Sequence, residues 1–401
     1  MKETKFKNTE IGKIPEEWKI CNFGDIFTFF SNNTLSRDML GERGNMHNVH
    51  YGDVLIKYGS TLDVEKESIP SIKEEYCYKS TNKIEDGDVI IADTAEDETV
   101  GKACEILNVG SRYIVSGLHT IWVRPKGNLF AAKYLGYAMN GTTYHNQLLP
   151  LIQGTKVSSI SKAAIKDTCI IVPPINEQHS IASALTSIDN LISSLGKLIE
   201  KKKNIKQGAM QQLLTGKTRL KGFSEPWVEK KLGEVCSVKR GVRVVKRNLT
   251  TDGLYPVYQN TNIPLGYSNQ YNVEANTPFV IIGGSAGQVG ICRERYWAAD
   301  DCAFFACHDI YKEYLYYVLL LNQRNILHNV RTGTIPRLDR TFLSGMLVYI
   351  SSNIAEQQAI ATILTKMDDE ITTLEAKKAK YEAIKQGMMQ QLLTGKLRLI
   401  S

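Results

Sequence analysis

One segment of this chain occurs twice, and that duplication constrains the fold more than any other feature. Residues 176–220 and 355–399 align at a constant offset of 179, with 24 identities in 45 positions and no gap. Both copies begin with Glu-Gln (Glu177-Gln178 and Glu356-Gln357) and both end in Gln-Gln-Leu-Leu-Thr-Gly-Lys (211–217 and 390–396). A duplication without insertions points to one rigid rod used twice.

The rod reads as a long helix. Ile181, Leu185, Ile188, Ile192, Leu195, Ile199, Lys202 and Ile205 follow a 4-3-4-3 spacing in the first copy, except that the last step is three residues in both copies. Ile360, Leu364, Met367, Ile371, Leu374, Lys378, Tyr381 and Ile384 do so in the second. Such a narrow apolar seam is of coiled-coil type. Pro173-Pro174 blocks helix upstream of the first copy, and Asn353 with Glu356 resembles a capping box. Gly216 and Gly395 sit where a left-handed C-terminal cap is expected. A helix over 176–214 would be about 58 Å long at 1.5 Å per residue. Gly208 and Gly387 fall inside the helices despite a cost of roughly 1 kcal/mol each. Their matched positions predict that the two rods approach closely there.

A chain of 401 residues is long enough for two or more domains, and 43% apolar with 23% charged residues describes a globular protein. The first residues lack the apolar core of a signal peptide, and the longest apolar stretch, 314–321, is too short to span a bilayer. Eight cysteines are scattered singly with no Cys-x-x-Cys pair, which predicts reduced core thiols, a cytoplasmic location and no metal site. The net charge of +7 divides as −2 over 1–172, +4 over 173–220, +4 over 221–350 and +1 over 351–401. This mild basic excess permits nucleic-acid binding without requiring it.

Outside the rods, short β-rich runs dominate residues 1–150, at 21–30, 53–58, 88–92, 113–115 and 120–123, with an amphipathic stretch at 130–140 and a strand at 169–172. After the first rod the plan restarts. Trp18 with Gly24-Asp25-Ile26 is echoed by Trp227 with Gly233-Glu234-Val235 at an offset of 209, and Gly154-Thr155 by Gly333-Thr334 at 179, so the first globule is longer by 30 residues. The second has its own strands at 278–282, 289–292 and 302–306, then an amphipathic stretch at 311–330. The expected fold class is α+β: two globular mixed α/β domains (1–172 and 221–351) joined by two long, antiparallel coiled-coil helices (173–220 and 352–401), with a pseudo-two-fold internal repeat. Similar scaffolds holding dissimilar surfaces suit a protein that reads two different things at a set distance, and half-sites on duplex DNA pose that problem.

These features resemble the specificity subunit of type I restriction–modification enzymes over almost the whole chain. The motifs carrying the resemblance are Pro173-Pro174-Ile175-Asn176-Glu177-Gln178, the doubled Gln-Gln-Leu-Leu-Thr-Gly-Lys block and the Trp…Gly-Asp/Glu openings. The turn Gly283-Gly284-Ser285-Ala286-Gly287-Gln288-Val289-Gly290, followed by Trp297-Ala298-Ala299-Asp300, adds to them. One departure is Ser352-Asn353-Ile354-Ala355, standing where the family often has a double proline. The resemblance implies that each globule is a target-recognition domain for one half of a split, asymmetric double-stranded DNA site. It implies that the helices set the unread gap and dock two methyltransferase (M) subunits, that restriction (R) subunits join that core, and that this subunit performs no chemistry. A coiled-coil adaptor with protein- or glycan-binding globules is the rival reading.

No catalytic or cofactor motif stands against this. Thr215-Gly216-Lys217-Thr218 lacks the earlier glycine of a phosphate loop and ends a helix. The glycine run 283–290 lies between two strand-like segments and reads as a hairpin turn. Asp300-Asp301 and Glu96-Asp97-Glu98 lack a lysine in nuclease spacing and read as solvated turns. His47, His50 and His119 have no metal spacing; each could touch DNA or fill a core.

Base readout needs Arg, Asn, Gln, Ser or Thr on loops, and phosphate contacts need Lys, Arg and backbone amides. In the first globule those residues are Asn32, Asn33, Arg37, Arg43 and His47, with Lys156 beside Gly154-Thr155. In the second they are Arg240, Arg243, Lys246 and Arg247, the amides Gln259 and Asn260, and Arg324, Arg331 and Arg337 around Gly333-Thr334.

Overall fold

The computed structural model describes residues 4–80, 82–154, 156–245, 247 and 249–399. It divides into two compact units, Met1–Ser194 with Lys378–Ser401, and Leu195–Lys377. The chain is mixed α/β.

Two helices of 39 residues dominate, the central helix Ile175–Leu213 and the C-terminal helix Ile354–Leu392. Asn353 caps the second, its Oδ1 accepting from the backbone N–H of Ala355 (2.8 Å) and of Glu356 (3.2 Å). The reciprocal half of the expected capping box is not made, because the Glu356 carboxylate is engaged elsewhere. Both helices end in the expected left-handed glycine, with φ of +68° at Gly216 and +69° at Gly395. A Cβ at Gly216 would stand 3.1 Å from the Trp227 ring, and one at Gly395 would lie 2.4 Å from Pro15 and 3.1 Å from the Trp18 ring. These two glycines are therefore fixed by both backbone and packing.

The helix termini are held by the same cluster in each unit. In the first, Glu177 is buried; Trp18 Nε1 donates to its Oε2 at 2.9 Å and Arg398 donates to both oxygens at 2.6 and 2.8 Å. In the second, Trp227 Nε1 donates to Glu356 Oε2 at 3.2 Å, and Arg219 to both oxygens at 2.7 and 3.0 Å. The neighbouring glutamines are equally matched. The Gln178 amide accepts from Ala131 N and donates to Pro173 O, while Gln357 accepts from Tyr311 N and donates to Ser351 O. Further along, Tyr137 donates to Asp189 and Tyr317 to Asp368, both at 2.8 Å, and Lys385 and Lys206 salt-bridge to those same aspartates.

That last pairing corrects the seam. Ile205 and Ile384 are 47% and 39% exposed and lie outside it. The neighbouring lysines, Lys206 and Lys385, turn inward instead, because a tyrosine–aspartate pair meets each ammonium group. Gly208 and Gly387 are corrected as well. A Cβ at either would meet nothing within 4 Å, so no close helix approach accounts for them, and nothing in the structure explains these glycines.

In the first unit, Phe27–Phe30, Thr120–Pro125, Val89–Ala92, Ala103–Leu107 and Thr61–Asp63 form a five-stranded sheet in that order, antiparallel except for the last pair. Strand periodicity sends Val89 and Ile91 into one core with Phe23, Phe27 and Leu148. It sends Ile90 into the other with Val54, Leu62 and Trp122, so the sheet is buried on both faces. A four-stranded sheet (Tyr113–Ser116, Met46–Val49, Ser71–Ile72, Leu40–Gly41) stands beside it. In the second unit, Cys236–Arg240, Cys302–Cys307, Pro278–Ile281 and Val289–Ile291 form an antiparallel sheet, and a three-stranded sheet (Gly266–Ser268, Tyr255–Tyr258, Trp297–Ala298) accompanies it. Each globule has a strand pair, Lys19–Asn22 with Cys169–Val172 (after a hairpin of Phe6–Thr9 and Gly12–Pro15) and Trp227–Lys231 with Leu347–Ser351, whose first strand leads into a four-residue helix, Phe23–Ile26 or Leu232–Val235. Two unlike sequences thus share one plan.

Several expected elements differ. The run at 53–58 is a helix, Tyr51–Ile56, because His50 Nδ1 caps Gly52 N at 3.2 Å. The run at 21–30 is interrupted by the helix Phe23–Ile26, capped by Asn22. The 130–140 stretch begins its helix only at Tyr134, where Lys133 has φ +73°. The 311–330 stretch breaks at Asn322 into Lys312–Leu321 and Gln323–His328. Cys77 is exposed, unlike the expected core thiols, whereas Cys104, Cys236, Cys292 and Cys302 are buried. Among the described residues no helix is long and apolar enough to cross a membrane.

Candidate nucleic-acid interface

The shared plan gathers equivalent loops at one edge of each globule. In the first unit, the turn after Val89–Ala92 pairs with a hairpin at 153–159, where Thr94 faces Ser159 and Gln153 faces Ser159. The 31–37 loop joins them: Asn33 N donates to Ser116 O at 2.9 Å, and Asn32 Nδ2 to Gly117 O at 3.2 Å. In the second unit, the turn after Pro278–Ile281 pairs with a hairpin at 331–337, with Gly283 facing Arg337 and Arg331 facing Arg337. The 258–263 loop docks there through Ser285 N to Asn260 O at 2.9 Å, and Gly241 N reaches Cys302 O at 2.9 Å. The glycine run is therefore a hairpin connection, as the sequence indicates.

The basic and amide side chains at these edges fall into two groups. Some are spoken for inside the chain. Arg37 pairs with Asp53 at 2.5 Å, and Asn33 Nδ2 donates to Asn48 Oδ1 at 2.6 Å. Arg240 Nε donates to Asp300 O at 2.7 Å, and Arg337 pairs with Asp301 at 2.5 Å. Asp300 and Asp301 are thus anchors for two arginines, not the solvated turn expected of them. Others are free: Lys156, Arg243, Arg247, Arg324 and Arg331 are exposed and make no ion pair among the described residues, and Asn260 is exposed too. Gln259 is half-buried. Lys246 and Thr155 lie outside the described residues. Arg43 and His47 are not drawn into the loop cluster; His47 Nδ1 lies 3.2 Å from Ser71 Oγ, and Gly44 packs on Ser71–Ile72. His50 caps its helix, and burial and the nearby Arg37 charge hold its imidazole below the ordinary histidine range.

His119 belongs to the cluster, whereas the arginine- and amide-rich pattern picked out other residues. It has φ +56°, a conformation that sequence does not disclose. Its ring is 47% exposed, and Nδ1 lies 3.4 Å from Asp93 Oδ1 and 3.3 Å from Thr94 Oγ1. The Tyr51 ring meets it edge-on at 5.3 Å. Among the described residues no group of three or more His, Cys, Asp and Glu side chains is placed to hold a metal ion.

A family model, type I restriction modification DNA specificity domain, matches residues 15–207 and again 224–386; the chain belongs to this family. Among individual relatives, it is 24% identical to the putative type I restriction enzyme MjaX specificity subunit of Methanocaldococcus jannaschii, over 99% of this chain and 98% of that one. It is 25% identical to the MjaVIII specificity subunit of the same organism, over 99% and 97%. The solved type I restriction–modification S subunit of M. genitalium shares its fold at a TM-score of 0.64 and 16% identity, covering 94% of this chain and 96% of that one.

Proposed function

We propose that the chain is the DNA sequence-recognition subunit of a type I restriction–modification complex. The globules 1–172 and 221–351 are its target-recognition domains, each reading one half of a bipartite, asymmetric duplex site. Residues 173–220 and 352–401 form an antiparallel coiled coil with a pseudo-two-fold repeat. This pair sets the unread gap and docks two methyltransferase subunits, to which restriction subunits add. The chain itself is non-catalytic and works in the cytoplasm. The adaptor reading is set aside because the matched family is one of DNA specificity.

The single observation that carries this reading is the recurrence of one loop cluster on two dissimilar sequences. Each copy is presented by the same Trp–Glu–Arg clasp at the helix ends. Helix directions support the coiled coil: Lys202 pairs with Glu370 and Lys206 with Asp368, so ascending positions on one helix meet descending ones on the other. Phosphate contacts are assigned to Lys156, Arg243, Lys246, Arg247, Arg324 and Arg331. Asn260 and Gln259 are assigned to base edges, Arg37, Arg240 and Arg337 to the rim with their aspartate partners, and Asn32 and Asn33 to shaping the first loop set; Arg43 and His47, which stand apart from that set, are assigned to outlying DNA contacts. Co-expression with a DNA methyltransferase subunit tests the proposal: a duplex shift is expected from the assembled complex, and a shift by neither complex nor chain counts against it.

A further inference from the structure

His119 combines three features that its local fold does not require. Left-handed backbone at a non-glycine residue is uncommon, with Asn, Asp and His the enriched exceptions, and costs on the order of 1 kcal/mol or more. The other described non-glycine residues with positive φ are Asn108, Lys133 and Asn276. Asn108 and Asn276 are asparagines, which tolerate this region, and the Lys133 N–H donates to the buried Glu105 carboxylate. The turn at 117–119 could be closed as well by glycine. Instead it carries an imidazole held on one side by Asp93 and Thr94 and against its face by Tyr51, while half of the ring meets solvent at the loop cluster.

The hydrogen-bond chemistry fixes which nitrogen is offered. Thr94 Oγ1 donates its own proton to Asp93 Oδ1 at 2.8 Å, so toward His119 it can only accept. Asp93 is likewise an acceptor. Both partners of Nδ1 therefore call for a proton there, and in the neutral ring Nε2 is left as an acceptor. Nothing among the described residues bonds Nε2.

We infer that His119 is a base-reading residue of the first unit, its Nε2 accepting from an exocyclic amino group, cytosine N4 or adenine N6, in the major groove. The inference rests on the proposed function and adds a residue and a base chemistry to it. Cytosine N4–H2 and adenine N6–H2 are the amino donors that the major groove presents. A tethered, pre-oriented ring loses little freedom on binding, which accounts for a strained backbone being kept at this position.

The test uses the full chain assembled with its methyltransferase partner. Wild type, His119→Gly and His119→Asn are compared on duplexes carrying the methylated motif, in which each cytosine is replaced by 2-pyrimidinone or each adenine by unsubstituted purine. These bases lack only the amino group, so the two arms tell cytosine from adenine. In wild type, one substitution in one half-site is expected to weaken binding roughly ten- to a hundredfold. Both variants should bind the natural duplex that much more weakly and lose nothing further on the same substitution. The unfolding midpoint of His119→Gly should equal or exceed that of wild type, because glycine relieves the left-handed strain. Variants that respond to every substitution as wild type does, or that weaken both half-sites together, overturn the inference. Absence of any motif for the wild-type complex overturns the proposed function itself.

Discussion

Arg398 donates from Nε and Nη2 to both oxygens of Glu177, 221 residues earlier in the chain, with only 7% and 1% of the two side chains exposed. The contact ties the start of one long helix to the segment that follows the other. Arg219 and Glu356 repeat it in the second unit with the roles of the helices exchanged. This explains why the duplicated segment runs from a glutamate to an arginine: each copy contributes one end to each clasp. Removing a single partner leaves a buried charge uncompensated, which typically costs about 3–5 kcal/mol. Arg398→Ala should lower denaturant stability by roughly that amount, and a loss near 0.5 kcal/mol or less would show that the clasp is dispensable.

The helix glycines separate into two classes with opposite expected effects. Gly216→Ala and Gly395→Ala introduce a Cβ at positive φ against Trp227 or Pro15, and each should destabilise by more than about 1 kcal/mol. Gly208→Ala and Gly387→Ala place a Cβ in open space inside a helix, and each should stabilise the isolated chain by about 0.5–1 kcal/mol. Thermal unfolding of the four variants checks both signs.

Glu105 is a source of pH dependence inside the first unit. Its carboxylate accepts from the backbone N–H of Lys133 (2.6 Å) and Gly136 (2.9 Å), yet burial pushes its pKa up from 4.5 to about 7. A raised acid pKa means that the folded state holds the proton more tightly than the unfolded chain does. Its contribution to stability is therefore greatest below pH 4.5 and declines as pH rises to about 7, by at most about 3 kcal/mol. The wild-type chain should gain stability from this group between pH 8 and pH 5. Glu105→Gln should lack that increment; an unchanged slope would place the titration elsewhere.

Arg243 and Arg331 are exposed and free of ion pairs among the described residues, as phosphate contacts require. Substituting either with alanine should weaken duplex binding by the assembled complex and reduce the slope of log affinity against log salt by about 0.9. Arg337→Ala should also lower stability, since it strips Asp301 of its partner. Titrations at several salt concentrations distinguish the two behaviours.

Lengthening the spacer at the 215–217 junction would break the clasp, because Gly216 packs on Trp227 and Arg219 holds Glu356. A cleaner change inserts one heptad after Lys197 and another after Lys377. Seven helical residues add about 10 Å, roughly three base pairs of duplex. The mapped gap should grow by about that number with both half-sites unaltered.

The helices were legible because a 3.5-residue period over some forty positions is a strong signal, and their ends were marked by glycine and proline chemistry. Ile205 and Ile384 stand outside the seam, and the half-buried Lys206 and Lys385, four residues after Lys202 and Tyr381, take the next 4-3 position; a lysine there depends on Tyr317, Tyr137 and their aspartates, all distant in sequence. The common plan of the globules was invisible between their edges. Alternating apolar residues can be exchanged freely as long as the two-sided sheet stays filled, so Val89–Ala92 and Pro278–Ile281 share burial and no motif. At the candidate site, residue type singled out arginines that turn out to be anchored, Arg240 and Arg337 among them. The sequence offers His119 only as one of three histidines that could touch DNA or fill a core, because a positive φ and a tethered ring exist only once the loops have met.

Genome-wide methylation mapping in cells expressing this chain with its methyltransferase partner tests the central claim most directly. The expected result is one asymmetric motif made of two defined halves separated by a fixed number of unread bases, with only one half changing when one globule is exchanged. A single uninterrupted motif, or a pattern indifferent to this chain, would contradict it.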